Sequence, residues 1–184
     1  DAELAPAVAA NRRALLDEIS AGHTVLEARP LDLVMGVASH CNIECGFCVG
    51  PRGAYGELTD ARRDEIVAWL PTLMGFTVAG PGEPLMSRNY LAILGEIATG
   101  RYPSLRVSVT TNGTLLTPAF LERHRAVEWA HVRVSLNAGS AATHARMTGK
   151  ALWERVTENL DALCSLRDSR TRPVEGTLSC VLSE

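Results

Sequence analysis

The chain has 184 residues, of which 46% are hydrophobic and 21% charged, a composition typical of a globular protein with one core-bearing domain. Its 18 basic and 21 acidic residues give a net charge of −3, so there is no electrostatic argument for a nucleic-acid or acidic-membrane partner. No apolar run reaches the length of a membrane span, and no signal peptide is visible. Five cysteines, far below the density of a disulfide scaffold, predict a reducing, cytoplasmic location.

Hydrophobic periodicity predicts an alternation of strands and helices along the chain. A first helix starts near Leu4 and closes by Ala21, so residues 1–30 are assigned to an N-terminal helical extension and residues 31–184 to the main domain. Short apolar runs predict five strands, at Leu31–Ala38, Phe76–Ala79, Leu105–Thr111, His131–Asn137 and Val174–Ser183.

Helices are predicted in the segments between these strands. After a glycine-rich loop from Gly50 to Gly56, Thr59 has the position of an N-cap, and Pro71 ends the helix that follows. The pair Thr117-Pro118 opens a later helix. Two helical stripes complete the pattern, and they consist of Tyr90, Leu91, Leu94 and Ile97 and of Leu152, Val156, Leu160 and Leu163.

The side-chain alternation within the strands favours a barrel over a sheet covered on both faces. Parallel strands buried on both faces are almost continuously apolar, but here Val132 and Val134 alternate with Arg133 and Ser135. One face is therefore expected to line a wet cavity while the other packs against helices. Five βα units then form an α/β fold, a curved and partly closed barrel.

Four charged residues fall near the N-terminal ends of strands, apparently on the inward face: Asp32, Arg106, Arg133 and Glu175. Two acids and two bases at one end of a barrel predict a buried ionic network that closes its floor. Removal of one partner would leave an uncompensated charge, so this network would be structural.

Cys41, Cys45 and Cys48 are spaced C-x3-C-x2-C, and a tight loop of this length can fold three thiolates around one metal centre. A disulfide framework is disfavoured because the cysteine count is odd. A structural zinc site needs a fourth ligand, for which His40 adjoins Cys41 too closely to be a convenient donor. A 4Fe-4S cluster with three cysteine ligands would leave one iron open for chemistry.

Every unusual motif of the chain follows a predicted strand. The first strand leads into the cysteines, and the second leads into Gly80-Pro81-Gly82-Glu83-Pro84. The third ends in Thr110-Thr111-Asn112-Gly113, and the fourth in Ser135-Leu136-Asn137-Ala138-Gly139. Functional groups lie at the carboxyl ends of strands in barrels and open α/β sheets, so these motifs are expected to meet at one rim.

On the cysteine spacing and the G-x-G-E-P motif, the chain resembles the core domain of the radical S-adenosylmethionine (radical SAM) superfamily. The resemblance covers roughly Leu31 to Glu184. It implies a partial (β/α)6 TIM-like barrel, of which about five βα units are present, apparently truncated before strand 6. It also implies a 4Fe-4S cluster on the three cysteines, whose open iron is chelated by SAM, and reductive cleavage of SAM to a 5'-deoxyadenosyl radical.

The same resemblance assigns the SAM contacts residue by residue. Gly80, Gly82 and Glu83 would receive the amino group of SAM, and Phe47 would lie next to the adenine. Ser135 and Asn137 would contact the ribose and carboxylate, with Asn112 as a further candidate. His144-Ala145-Arg146-Met147-Thr148-Gly149 is similar to a family segment in which an arginine binds the carboxylate, and Arg146 is the candidate here.

The substrate class implied is a peptide or a small natural product, with an electron donor such as flavodoxin or ferredoxin. One alternative is a radical SAM methyltransferase, which would need a dedicated extra cysteine or a cobalamin domain. Another is a non-catalytic module that binds zinc or another metal. Cys164 and Cys180 lie among apolar positions of a helix and a strand, and both are expected to be small core residues.

Overall fold

Five parallel strands form one sheet in the computed structural model, which describes residues 4–48, 56–168 and 174–181. The strands are β1 (Asp32–Met35), β2 (Gly75–Val78), β3 (Arg106–Thr111), β4 (Trp129–Ser135) and β5 (Glu175–Ser179). The helices are α1 (Pro6–Ser20), α2 (Asp60–Trp69), α3 (Arg88–Ile97), α4 (Pro118–Arg123), α5 (Ala141–Thr148) and α6 (Trp153–Asp168). The predicted loop from Gly50 lies outside the described residues, apart from Gly56 at its end.

The strands lie in the sheet in chain order, β1-β2-β3-β4-β5, and every neighbouring pair is parallel. A doubly wound sheet would reverse its strand order at a switch point, and no reversal occurs among these five strands. Winding in one direction puts all connecting helices on the same side and curves the sheet toward a barrel. The predicted α/β partial barrel of five βα units is confirmed.

Local sequence signals set the helix boundaries. The Thr59 side chain accepts a hydrogen bond from the Arg62 N–H and caps α2, and Thr117 caps α4 through the Phe120 N–H. Both caps were predicted, and a short 3-10 turn containing Pro71 follows α2 as expected. The helix α5 was not predicted as a separate element, although Ser140 caps it through the Thr143 N–H.

The core lies between the apolar face of the sheet and the connecting helices. Phe76 of β2 and Tyr90 of α3 are fully buried and meet edge to face, with ring centroids 6.0 Å apart. Val132 and Val134 of β4 are 1% exposed and belong to the same buried cluster as Val156 and Leu163 of α6. The apolar half of the alternating pattern therefore faces the helices, as predicted.

The opposite face of the sheet is polar and open. Ser108, Thr110 and Thr177 are half-buried on it, and the His131 ring Nε2 lies 2.7 Å from the Thr177 hydroxyl. Val34 lies on the same face and keeps 70% of its surface exposed. This face forms the inner wall of the partial barrel, in agreement with the predicted wet cavity.

The predicted ionic network at the barrel floor is wrong. Asp32, Arg106, Arg133 and Glu175 are all exposed, and no ion pair joins any two of them among the described residues. The inner wall of the open sheet is in contact with water, so each charge is hydrated separately. There is then no desolvation that would require a buried partner.

Two other burial predictions fail. Cys164 on α6 and Cys180 beyond β5 are exposed rather than in the core. The outer surface of β5 is itself poorly covered, with Leu178 58% exposed, so a position on the apolar face of that strand does not imply burial. Strand β1 ends at Met35 rather than Ala38, and Gly36, the next residue, lies close to the backbone of Ala79 and Gly80.

The N-terminal helix α1 packs at the end of the sheet opposite the cysteines. Val8 is 2% exposed there, and the Ala5 N–H donates to the Ser104 hydroxyl at 2.7 Å. The Glu18 carboxylate accepts from the N–H groups of Glu27 and Ala28, which ties the following segment to the helix. Within the described ranges, none of the helices is both long and apolar enough to cross a bilayer.

Candidate cofactor site

A cavity of about 1070 Å³ opens at the carboxyl ends of the strands. Residues that follow or end each strand line it, namely Gly36, Gly80, Asn112, Ser135 and Ser179. All five strand ends therefore contribute to one concave site, which is the arrangement expected when parallel βα units curve into a barrel. The predicted rim motifs meet as the sequence indicated.

The three cysteines of the loop after β1 all line this cavity. Cys41 and Cys45 are half-buried, Cys48 is exposed, and none of the three forms a disulfide. The Cys48 N–H donates to the Cys45 carbonyl at 3.2 Å, which closes a tight turn between the second and third cysteines. Three thiols on one short loop thus face a common space.

The three cysteine thiols are a donor set that fits an iron–sulfur cluster. No group of three or more His, Cys, Asp or Glu side chains within the described part of the chain is arranged to hold one metal ion. A zinc ion draws all its sulfur ligands to about 2.3 Å from one point, whereas a cubane cluster places its cysteines on separate irons. Cys41, Cys45 and Cys48 supply three thiols on one loop of the cavity, and a cubane held by them would keep one iron without a protein sulfur.

The end of α5 holds the cysteine loop through its backbone. The Glu44 N–H donates to the Thr148 carbonyl at 2.6 Å, and the Gly46 N–H donates to the Met147 carbonyl at 3.2 Å. Thr148 is fully buried, and its hydroxyl donates to the His144 carbonyl one turn earlier. The segment His144–Gly149 therefore fixes the position of the loop that carries the thiols.

Arg146 does not reach the cavity. Helical periodicity turns His144 and Thr148 of α5 inward, where both are buried, and this leaves Arg146 exposed on the outer side of the helix. Phe47, in contrast, is half-buried and lines the cavity beside the cysteines, where the sequence placed it.

The loop Gly80–Pro84 packs against the cysteine loop. The Glu83 N–H donates to the His40 carbonyl at 2.7 Å, and Gly80 and Gly82 line the cavity with positive φ angles. A positive φ is readily adopted only by glycine, which explains why the loop uses these residues. The loop thereby brings backbone carbonyl and N–H groups to the cavity wall.

Glu83 is buried behind this wall and does not line the cavity. Its Oε1 accepts from the Leu85 N–H at 3.1 Å and from the Thr111 hydroxyl at 2.7 Å, and its Oε2 accepts from the Asn112 N–H at 2.8 Å. Burial raises the pKa of the Glu83 carboxyl, and the hydrogen bonds from Asn112, Thr111 and Leu85 oppose that rise. Glu83 thus joins the loop after β2 to the end of β3.

We expect Glu83→Ala to lower the free energy of unfolding by about 3–5 kcal/mol, because three buried donors lose their acceptor. Chemical denaturation measures the loss. The Glu83 contribution should be largest below the ordinary glutamate pKa and should decrease as the pH rises through the raised pKa. Glu122→Ala, which removes an exposed carboxylate paired with Arg125, is the control and should change stability little. Equal effects of the two substitutions would contradict this role.

Asn112 lines the cavity at the end of β3, and its side chain takes part in four hydrogen bonds there. Its Oδ1 accepts from the N–H and hydroxyl of Thr114, and its Nδ2 donates to Asn42 Oδ1 at 2.8 Å and to Cys41 Sγ at 3.5 Å. The Asn42 amide in turn donates to the Thr114 hydroxyl at 2.7 Å. The asparagine thereby connects the end of β3 to the first cysteine.

Ser135 and Asn137 line the cavity at the end of β4, where the sequence predicted SAM contacts. Asn137 has a φ of 55°, a conformation that asparagine tolerates better than most residues. Its Oδ1 accepts from the Val181 N–H at 3.0 Å, which ties β4 to the end of β5. The hydroxyls of Ser135 and Ser179 lie 3.4 Å apart on the same wall.

Several cavity residues were not singled out from the sequence. Glu57 and Arg62 line the mouth, and the Glu57 carboxylate lies 2.9 Å from His40 Nδ1. Asn42 was also missed, although its place between the first two cysteines was a signal that it lies near the site. Glu57 precedes α2, and Arg62 lies in its first turn. Both reach the cavity through tertiary packing, which no local sequence pattern indicates.

The sequence profile of the radical SAM superfamily matches residues 35–172 of the chain. A GTP 3',8-cyclase of Synechococcus sp. (strain WH7803) is 32% identical over 167 residues, which cover 82% of this chain and 48% of the cyclase. A mycofactocin maturase of Mycobacterium tuberculosis (strain ATCC 25618 / H37Rv) is 25% identical over 139 residues, which cover 74% of this chain and 35% of the maturase. The crystal structure of Streptococcus suis SuiB bound to S-adenosylmethionine superposes with a TM-score of 0.55 at 16% identity, over 85% of this chain and 34% of SuiB.

The chain belongs to the radical SAM superfamily, because the match covers 35–172, well over half of its length, and the fold agrees. Members of this superfamily are enzymes, so the family match assigns the chain to the radical SAM class of enzymes. The chain spans less than half the length of the cyclase and maturase relatives described above.

Proposed function

We propose that this chain binds a 4Fe-4S cluster through Cys41, Cys45 and Cys48 and binds SAM in the cavity beside it. The enzyme to which it belongs then cleaves SAM reductively and abstracts a hydrogen atom from a peptide or small natural-product substrate. The single observation that carries the proposal is that all three thiols share one cavity with the ends of all five strands. When bound, the cluster supplies the electron that cleaves SAM.

The residues of the chain have distinct roles in this proposal. Gly80 and Gly82 bring backbone groups close to the amino end of SAM, and the Ser135 hydroxyl and the Asn137 side chain face its ribose and carboxylate. Phe47 offers an aromatic surface for the adenine. Glu83 acts from behind the wall, because both of its oxygens are already engaged by Leu85, Thr111 and Asn112.

The polar side chains on the inner wall below the cavity favour a polar substrate. Thr110 lines the cavity, and the exposed Arg133 lies opposite it in the sheet register, one strand away. Thr177 continues this polar row on β5. One named relative is a GTP 3',8-cyclase and another a mycofactocin maturase, and with this polar wall they support a peptide or a small, polar natural product as the substrate class we propose. A reducing cytoplasm and an electron donor such as flavodoxin or ferredoxin complete the proposal.

The alternative functions receive less support from the cavity. A methyltransferase with a dedicated extra cysteine would need that thiol near the site. Among the described cavity residues, Cys41, Cys45 and Cys48 are the only cysteines, and Cys164 lies in a groove on the outer face of the sheet. A structural zinc module would need a fourth ligand besides the three cysteines, and the Nδ1 atom of the adjoining His40 is already 2.9 Å from the Glu57 carboxylate.

Anaerobic reconstitution with iron and sulfide, followed by incubation with SAM and dithionite, tests the proposal. We expect a brown protein with the absorbance of an iron–sulfur cluster and the formation of 5'-deoxyadenosine. A colourless protein that retains zinc and forms no 5'-deoxyadenosine would contradict it. Metal analysis by mass spectrometry distinguishes the two results independently of turnover.

A further inference from the structure

The strongest unassigned feature of the site is the contact between a side-chain amide and a cysteine that is proposed to bind the cluster. Asn112 Nδ2 lies 3.5 Å from Cys41 Sγ, a normal separation for an N–H···S hydrogen bond. Asn112 is 7% exposed, so water competes little for this donor. The contact joins the end of β3 to a sulfur that is distant in the chain.

The neighbours of Asn112 determine which atom of its amide faces the sulfur. The Thr114 backbone N–H, which can only donate, lies 3.0 Å from Asn112 Oδ1. The oxygen of the amide must therefore point toward Thr114, and the NH₂ group must point toward Cys41 and Asn42. The two hydrogens of that group match the two acceptors, Cys41 Sγ and Asn42 Oδ1.

We propose that Asn112 is a positioning residue that donates a hydrogen bond to the Cys41 thiolate and thereby raises the reduction potential of the cluster. The inference rests on the proposed function, since it requires that Cys41 is a cluster ligand. Reduction adds negative charge to the cluster and its sulfur ligands. A donor aimed at one of those sulfurs stabilises the reduced form more than the oxidised form, and hydrogen bonds to sulfur are among the determinants of cluster potential.

The rigidity of the network supports this role. Asn112 is anchored through its own N–H to the buried Glu83 carboxylate at 2.8 Å, in addition to its contacts with Thr114 and Asn42. Four hydrogen bonds to Glu83, Asn42 and Thr114 hold Asn112, so its amide does not reorient when the charge of the sulfur changes. The stabilisation of the reduced state therefore requires no rearrangement of the protein.

A redox titration of the anaerobically reconstituted protein, followed by electron paramagnetic resonance, tests the inference. We expect Asn112→Ala to lower the midpoint potential while the protein still binds iron. Asn112→Ser keeps an oxygen near the Thr114 N–H but lacks the amide donor, so it should lower the potential in the same direction even if the alanine variant folds poorly. Asn42→Ala is the matched control, because it removes the other acceptor of the amide while the contacts with Thr114 and Glu83 still hold the donor beside Cys41.

The outcomes distinguish a failure of the Asn112 hydrogen bond from a failure of the proposed cluster. A lower potential in both Asn112 variants, together with no decrease in Asn42→Ala, supports the hydrogen bond. An unchanged potential in Asn112→Ser, or an equal decrease in Asn42→Ala, overturns the role of Asn112 while the cluster itself stands. A wild-type protein that forms no cluster overturns the proposed function, and the role of Asn112 with it.

Discussion

Cys45→Ala is expected to abolish 5'-deoxyadenosine formation and to lower the iron content of the reconstituted protein. The three thiols of the loop are the cysteines that line the described cavity, so the loss of one removes a ligand that no other cysteine of the lining can replace. Second-sphere changes at metal sites commonly reduce activity 10–100-fold, and removal of a ligand should exceed about 100-fold. The measurements are iron and sulfide content, and 5'-deoxyadenosine quantified by chromatography.

Cys164→Ala is the matched control for this experiment. Cys164 also forms no disulfide and is exposed to solvent, but it lies on α6 beside Leu163 and Leu178 in a groove on the outer face of the sheet. Its removal should leave the iron content and 5'-deoxyadenosine yield unchanged. Activity that survives Cys45→Ala, or that is lost equally with Cys164→Ala, would contradict the assignment of the ligands.

Gly82→Ala is expected to cost about 2–5 kcal/mol of unfolding free energy and to impair cluster assembly. A Cβ at this position would lie 2.5 Å from the Ala38 carbonyl oxygen and 2.7 Å from the His40 carbonyl oxygen. Both are backbone atoms, so the loop before Cys41 would have to move. The φ of +89° adds strain, since L residues rarely adopt it.

Gly22→Ala separates the strain of the backbone from the steric clash. Gly22 has a similar φ of +77°, but no atom lies within 4 Å of the position of its Cβ. Its substitution should cost about 1 kcal/mol, the penalty of the left-handed conformation alone, with no effect on iron content. Thermal unfolding and iron analysis of both variants test the difference. Equal costs would show that the contact of Gly82 with the cysteine loop is unimportant.

Much of the site was predictable because parallel βα units have a simple geometry. Their strands all point the same way, so residues that follow different strands arrive at one rim. This is why the sequence alone predicts that the cysteines, the Gly80–Pro84 loop, Asn112 and Ser135 lie together. The alternation of Val132 and Val134 with Arg133 likewise predicted which face of the sheet is wet, because side chains in a strand alternate between its faces.

What the amino-acid sequence determined by itself is therefore the class of fold, the edge of the sheet that carries the site and the three thiols within it. The tertiary structure alone decided which side chains face the cavity. Glu83 turns into the core because Asn112 and Thr111, almost 30 residues away, supply its donors, and Arg146 turns outward because the phase of α5 buries Thr148. Burial and long-range pairing depend on how the helices and strands pack, and the local hydrophobic periodicity of the sequence does not specify that packing.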